Sequence, residues 1–93
     1  MSRDILRRIR RAVRERQYQM TDHALEEADA DNLTLDDIRN VLLTGDLDST
    51  YTDEPRGPRY VIRGPVGENP VDVVCRFRSD GGLLIIITVY VVD

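Results

Sequence analysis

The chain has no lysine; all 13 of its basic residues are arginine. Arginine carries a rigid planar fork that grips a phosphate or carboxylate by two parallel hydrogen bonds, which lysine cannot do. Compositional drift produces the same count, so position has to decide between the two. Cysteine occurs once, at Cys75, which excludes an intrachain disulfide and a cysteine-based zinc site. Histidine also occurs once, at His23; with no second ligand near it in the sequence, neither a metal nor a cofactor is expected. No glycine-rich phosphate loop of either common type is present, and Gly81-Gly82 reads as a hairpin turn. The longest apolar run, 83–92, is ten residues broken by Thr88, against the ~20 needed to cross a bilayer as a helix. An arginine-rich start superficially resembles a transit peptide, but it has little serine and carries acids, so the expected location is the cytoplasm.

What is present is short and charged. At 93 residues the chain is one domain, 1–93, burying roughly 60–65% of its unfolded surface. Hydrophobic residues are 41% and charged residues 32%, the balance of a soluble globular domain. The net charge of −4 argues against a general nucleic-acid binder. That total hides a strong division. Residues 1–16 carry +5, residues 17–54 carry −10 and residues 55–93 carry +1.

Three helices are expected in the first half. In residues 3–17, Ile5, Leu6, Ile9, Ala12 and Val13 form one narrow apolar stripe among arginines. This basic amphipathic segment, 1–17, either faces a phosphate or acidic partner or is simply solvated. Residues 17–20 read as an extended link. Thr21-Asp22 then caps a short helix that Asn32 ends. Thr34 and Asp37 make a capping box for a helix carrying Ile38, Val41 and Leu42 inward, with Leu33 placed as a hydrophobic staple. Gly45 stops it, as glycine does at helix ends. Residues 18–45 are thus a helical unit.

From residue 46 the period changes to alternation. Strands are expected at 46–52, 59–63, 71–78 and 83–92, with 64–70 a longer loop and 79–82 a tight hairpin. The first would place Leu47, Ser49 and Tyr51 on one face. The last is apolar on both faces, so it should be central or covered by a partner, which makes a homodimer plausible. Helices followed by tightly joined strands define an α+β class: two to three N-terminal helices on one face of a four-stranded, mainly antiparallel sheet in 46–93.

Alternation also sorts the arginines. Arg59, Val61 and Arg63 share one face, as do Asp72, Val74, Arg76 and Arg78. With Arg56 from the preceding turn, up to five arginines converge on one surface. Leu84, Ile86, Thr88 and Tyr90 would share one face of the last strand, with the two hydroxyls beside that cluster. The plainer alternatives are cross-strand pairing of Arg76 and Arg78 with Asp48, Asp53 or Asp72, an ordinary half-buried Tyr90, and a small core Cys75. His23 is the one side chain that titrates near neutrality without special help. In the first turn of a helix its imidazole is favoured neutral, as a general base requires, though local capping or packing explains it equally.

Several segments together carry a resemblance. Thr21-Asp22-His23-Ala24 opens the second helix, Leu35-Asp36-Asp37-Ile38 and Val41-Leu42 lie in the third, and Arg59-Tyr60-Val61-Ile62-Arg63-Gly64, Val71-Asp72-Val73-Val74 and Ile85-Ile86-Ile87-Thr88-Val89-Tyr90 are strands. This pattern, over nearly all of 18–92, resembles a family of small bacterial and archaeal domains of unknown function. It is similar to BrnT and, more distantly, to the RelE, ParE and MqsR toxins. The resemblance implies a compact α+β fold and a type II toxin–antitoxin toxin: a metal-independent endoribonuclease cleaving RNA by 2′-hydroxyl attack, with a cognate antitoxin as partner. His23 matches the family histidine, Arg59 and Tyr60 the strand pair, and Thr88 and Tyr90 the closing motif. In that reading His23, Arg59, Arg76 and Tyr90 are catalytic, and Arg56, Arg63, Arg78, Thr88 and Tyr60 bind substrate. The chain departs from the family at Glu27 and Asp31, where arginine is frequent. The alternative is a non-enzymatic module that grips an acidic partner with the arginine face.

Overall fold

A computed structural model describes residues 2–92. The element order is α1 Ser2–Arg14, β1 Tyr18–Met20, α2 Asp22–Ala30, α3 Leu35–Thr44, β2 Asp46–Tyr51, β3 Arg59–Val66, β4 Asn69–Phe77 and β5 Leu84–Val91. The class is α+β, with three helices against one face of the sheet. The sheet has five strands, not four, in the order β1-β5-β4-β3-β2. The additional strand is the expected link: β1 runs parallel to β5, Tyr18 opposite Leu84 and Met20 opposite Ile86. Three residues are too short to show a period, so only the neighbour reveals this strand. The sheet is therefore mixed, and β5 lies between β1 and β4. That central placement suits a strand apolar on both faces.

The helices begin and end where their local chemistry directs. Ile9, Ala12 and Val13 of α1 are buried, and Ile5 and Leu6 pack partly against the same core. Arg16 takes φ 59° after α1, with Gln17 N–H donating to the Ala12 carbonyl at 2.8 Å. Asn32 does the same after α2 at φ 55°, with Leu33 N–H donating to Ala28 at 2.8 Å. Both are left-handed closures that satisfy carbonyls the helix leaves open. The expected capping box of α3 is present: Thr34 Oγ1 accepts from Asp37 N–H at 3.0 Å, and Asp37 Oδ2 accepts from Thr34 N–H at 2.9 Å.

Gly45 ends α3 for a different reason from the one expected. Its φ is −76°, which any residue adopts. A Cβ there would stand 2.6 Å from the carbonyl oxygens of both Val41 and Arg63. Glycine is required because α3 passes directly over β3.

Two strands carry a bulge, and β3 and β4 are longer than their alternation suggests. The expected loop 64–70 is a tight hairpin: Pro65 pairs with Pro70, Val66 with Asn69, and Gly67 takes φ 61° at the first turn position. Prolines and glycine read as a loop, yet neither proline has an N–H to lose from the ladder at this narrow end. In β2 the pairing jumps from Leu47 to Ser49, and in β5 it jumps from Ile86 to Thr88. Each skipped residue, Asp48 and Ile87, switches the face of everything beyond it. Leu47 thus packs on the helix side while Ser49 and Tyr51 sit on the other. Leu84 and Ile86 are core residues while Thr88 and Tyr90 are not.

The core lies between the helices and the inner sheet face, where Ile62, Val71, Val73, Cys75, Leu84, Ile86 and Val89 are all fully buried. Each large apolar side chain so placed contributes about 1.5–3 kcal/mol of transfer free energy. The opposite sheet face carries no helix, and Arg59, Arg63 and Arg76 are on it.

Candidate functional site

The strand register lays out the open face in rows. One row is Asp46–Arg63–Asp72–Tyr90, and the next is Ser49–Val61–Val74–Thr88. The third holds Tyr51 beside Arg59 on one side and Arg76 beside Ile85 on the other, with Arg59 and Arg76 one step beyond the Tyr60–Cys75 pair. Arg76 and Asp72 are four residues apart on β4, about 13 Å at 3.3 Å per residue. An apolar row, Val61 and Val74 with Thr88, separates the two polar ones.

The first polar row is closed on itself. Arg63 Nε donates to Asp72 Oδ1 at 2.7 Å and Nη2 to Oδ2 at 3.0 Å, a forked pair on a carboxylate only 2% exposed. Asp48, the residue skipped at the β2 bulge, adds a second acid 3.5 Å from Arg63. The hydrogen bond to Asp72 holds the guanidinium charged more firmly than usual. Burial, with a hydrogen bond to Asp72, pushes the Tyr90 phenol up, and Arg63 partly opposes this. Tyr90 is therefore a protonated partner of Asp72. Two of the three acids expected to pair with Arg76 and Arg78, Asp48 and Asp72, are thus taken by Arg63.

The third row borders a groove of about 280 Å³. Arg56, Arg59 and Arg76 line it, with Ile85 and Ile87 as an apolar wall and Thr21 at the end of α2. Glu54 is its one acid, 3.8 Å from Arg59 Nε, and that nitrogen is buried with no hydrogen-bond partner among the described residues. Arg56 and Arg76 make no ion pair among the described residues. Three guanidinium groups around one carboxylate leave a surplus of positive charge in a partly enclosed space, which attracts anions. The groove opens sideways into a shallower one of about 700 Å³ that adds Arg78 and Ser79. Arg78 is paired with Asp80 at 2.6 Å, in a bridge exposed on both sides. Such bridges contribute little and yield readily to a competing anion.

Thr21 locates one end of the groove. Its N–H donates to the Ile86 carbonyl at 3.0 Å, and its hydroxyl donates to the Ile87 carbonyl at 3.0 Å. The same hydroxyl accepts from Ala24 N–H at 3.1 Å, capping α2. One side chain thus joins the start of α2 to the β5 bulge. Sequence reasoning found the cap but not the link, because the bulge is invisible to a period-two pattern.

The remaining expected residues are dispersed. His23 follows Thr21 on α2, but its ring is exposed, its neighbour is Glu27 at 3.9 Å, and it lines neither groove. Thr88 is on the open face opposite Val74, between the two polar rows. Tyr60 faces the helices and is buried. Cys75 is a core residue whose thiol burial pushes up to about 12, so it is not a nucleophile near neutrality. Among the described residues no cluster of His, Cys, Asp or Glu suits a metal ion, and no helix is long and apolar enough to cross a membrane.

Fold and groove together define a small α+β domain with a helix-free, arginine-bearing sheet face. The chain belongs to the family described as Domain of unknown function (DUF4258), whose model matches residues 20–91, so α1 lies outside the matched segment. No curated protein and no solved structure gives a significant match.

Proposed function

We propose that this chain is an RNA-directed protein of the toxin type, holding the phosphate backbone in the groove of Arg56, Arg59 and Arg76. One observation carries the reading: these three arginines surround a groove with a single acid, while Asp48 and Asp72 of the open face are used by Arg63. A guanidinium fork grips a phosphate by two parallel hydrogen bonds. Ile85 and Ile87 offer an apolar wall to a base or ribose.

Cleavage by 2′-hydroxyl attack forms the 2′-O–P bond and breaks the P–O5′ bond, so it needs a base for the hydroxyl proton, a proton returned to the leaving 5′-oxygen by that protonated base or by water, and cations for the charge that grows on phosphate. Arg59 and Arg76 supply the cations, and a positioned donor of this kind is worth about 3 kcal/mol of barrier. His23, in the first turn of α2 and outside the groove, is the base in this scheme, which requires the strand to extend from the groove past Thr21 onto α2. Tyr90 stays with Asp72 and takes no proton.

The deciding experiment incubates purified protein with single-stranded RNA and analyses the ends of the products. Fragments ending in cyclic phosphate, lost in His23→Ala and in Arg76→Ala, support the nuclease. A double Arg56→Ala/Arg76→Ala variant that binds RNA as well as the parent overturns the reading. The position of His23 outside the groove favours a second reading, binding without cleavage. RNA retained intact, with affinity dependent on Arg56 and Arg76, selects it.

A further inference from the structure

The arginine groove does not end at the sheet. Arg56, Arg78, Gly57 and Ser79 also line a neighbouring hollow of about 250 Å³, whose far wall is Arg8 of α1 with Phe77 and Tyr60. Arg8, Phe77 and Gly81 in turn border a hollow of about 340 Å³ that reaches Arg11. Adjacent cavities thus share walls from Arg59 to Arg11, around one end of the sheet. Arg8 lies over the Phe77 ring, 4.3 Å from its centroid. Besides Glu54, the acids on this course are Glu15, bridged to Arg11 at 2.9 Å, and Asp80, bridged to Arg78. All three of these pairs stand in solvent, at least in part.

We infer that α1 is a second phosphate-contact element and that the ligand is a single strand of RNA, running from the open face past Arg78 onto Arg8 and Arg11. The inference rests on the RNA-binding reading above. The path favours a single strand for two reasons. It turns a corner on a molecule only 33 × 27 × 26 Å, and a stiff duplex does not bend over so short a distance. It also passes the exposed Arg8 guanidinium, which lies over the Phe77 ring and offers its outer face to an unpaired base, a stacking platform tolerant of sequence. An acidic peptide matches the charge but has no base to stack on Arg8.

The test measures fluorescence anisotropy of labelled single-stranded RNAs of about 4 and about 12 nucleotides over a salt series. The longer RNA should bind at least about tenfold tighter. Arg8→Ala/Arg11→Ala, two exposed positions, should weaken the longer RNA about tenfold and lower its salt slope by about 1.4, at roughly 0.7 per phosphate contact. The short RNA should be unaffected by that variant. Arg56→Ala/Arg76→Ala should weaken both. If the α1 variant changes neither affinity nor slope while the groove variant weakens both RNAs, the role of α1 is overturned and the groove reading stands. If neither RNA binds the parent, both fall together. A duplex of equal length, or a polyglutamate peptide of equal charge, binding as tightly as the single strand overturns the ligand assignment.

Discussion

Arg63 and Asp72 face each other across β3 and β4, joined by a forked pair at 2.7 and 3.0 Å. The carboxylate is buried, and the guanidinium is half in solvent. This pair removes Arg63 from the set of free arginines and leaves the groove to Arg56, Arg59 and Arg76. Without Arg63, Asp72 would keep a buried charge with only Tyr90 to answer it, which folded proteins tolerate poorly.

Arg63 and Arg76 should therefore respond oppositely to the same substitution. Arg63→Met should lower thermal stability more than Arg56→Met or Arg76→Met does, with RNA binding kept within about twofold. Arg76→Met should leave the melting temperature near that of the parent and reduce RNA affinity at least about tenfold, one full contact of about 1.4 kcal/mol. Melting by circular dichroism and an RNA titration on the same samples separate the two.

Gly45 should not accept a side chain. An added Cβ meets two backbone oxygens at 2.6 Å, and backbone cannot rotate away as a side chain can. Gly45→Ala should cost at least about 2 kcal/mol, the range of overpacked sites. Gly82→Ala is the control, since its φ lies outside the left-handed region and an added Cβ meets only Asp80 Oδ1 at an ordinary 3.6 Å. Urea unfolding with an unchanged slope would show a loss of stability rather than a change in the unfolded state.

Thr21 should matter through its hydroxyl alone. Thr21→Ala removes a helix cap and the link to Ile87, at a cost of about 1–2 kcal/mol. Thr21→Ser restores both hydrogen bonds and should recover most of the loss. A Ser variant as unstable as the Ala variant would show that the methyl group, not the hydroxyl, is what counts.

Stability should fall in alkali through Cys75. Its thiol moves from an ordinary 9.0 to about 12 in the folded chain because burial disfavours the thiolate. Between those values the unfolded chain has released a proton that the folded chain keeps, so stability declines as pH rises from about 9, by roughly 1 kcal/mol per unit. Tyr90, also raised, acts in the same direction above its ordinary 10.0. Cys75→Ala should flatten the decline, and a thiol reagent should label the parent only after unfolding.

The helices were readable because their signals are local. Thr34 and Asp37 are three residues apart, and Asn32 needs only its own left-handed preference to end α2. The apolar stripe of α1 and the Val71, Val73, Cys75 alternation of β4 were legible for the same reason, since a period needs no partner. The α+β class and the separation of an arginine face from a core face followed from them.

The partners across the sheet were not legible. Asp48 and Ile87 are bulges only because of what lies opposite, and β1 is a strand only because β5 is beside it. Alternation alone allows Asp72 to pair with Arg76 or Arg78; the hairpin at Gly67 sets it opposite Arg63 instead. The arginine content, the division of charge and the local caps were determined by the order of residues alone. Which arginines are neutralised, which stay available to an anion and whether His23 joins them were decided by tertiary structure. The physical reason is that charge pairing depends on distances across strands, and a one-residue change of register moves every side chain to the other face.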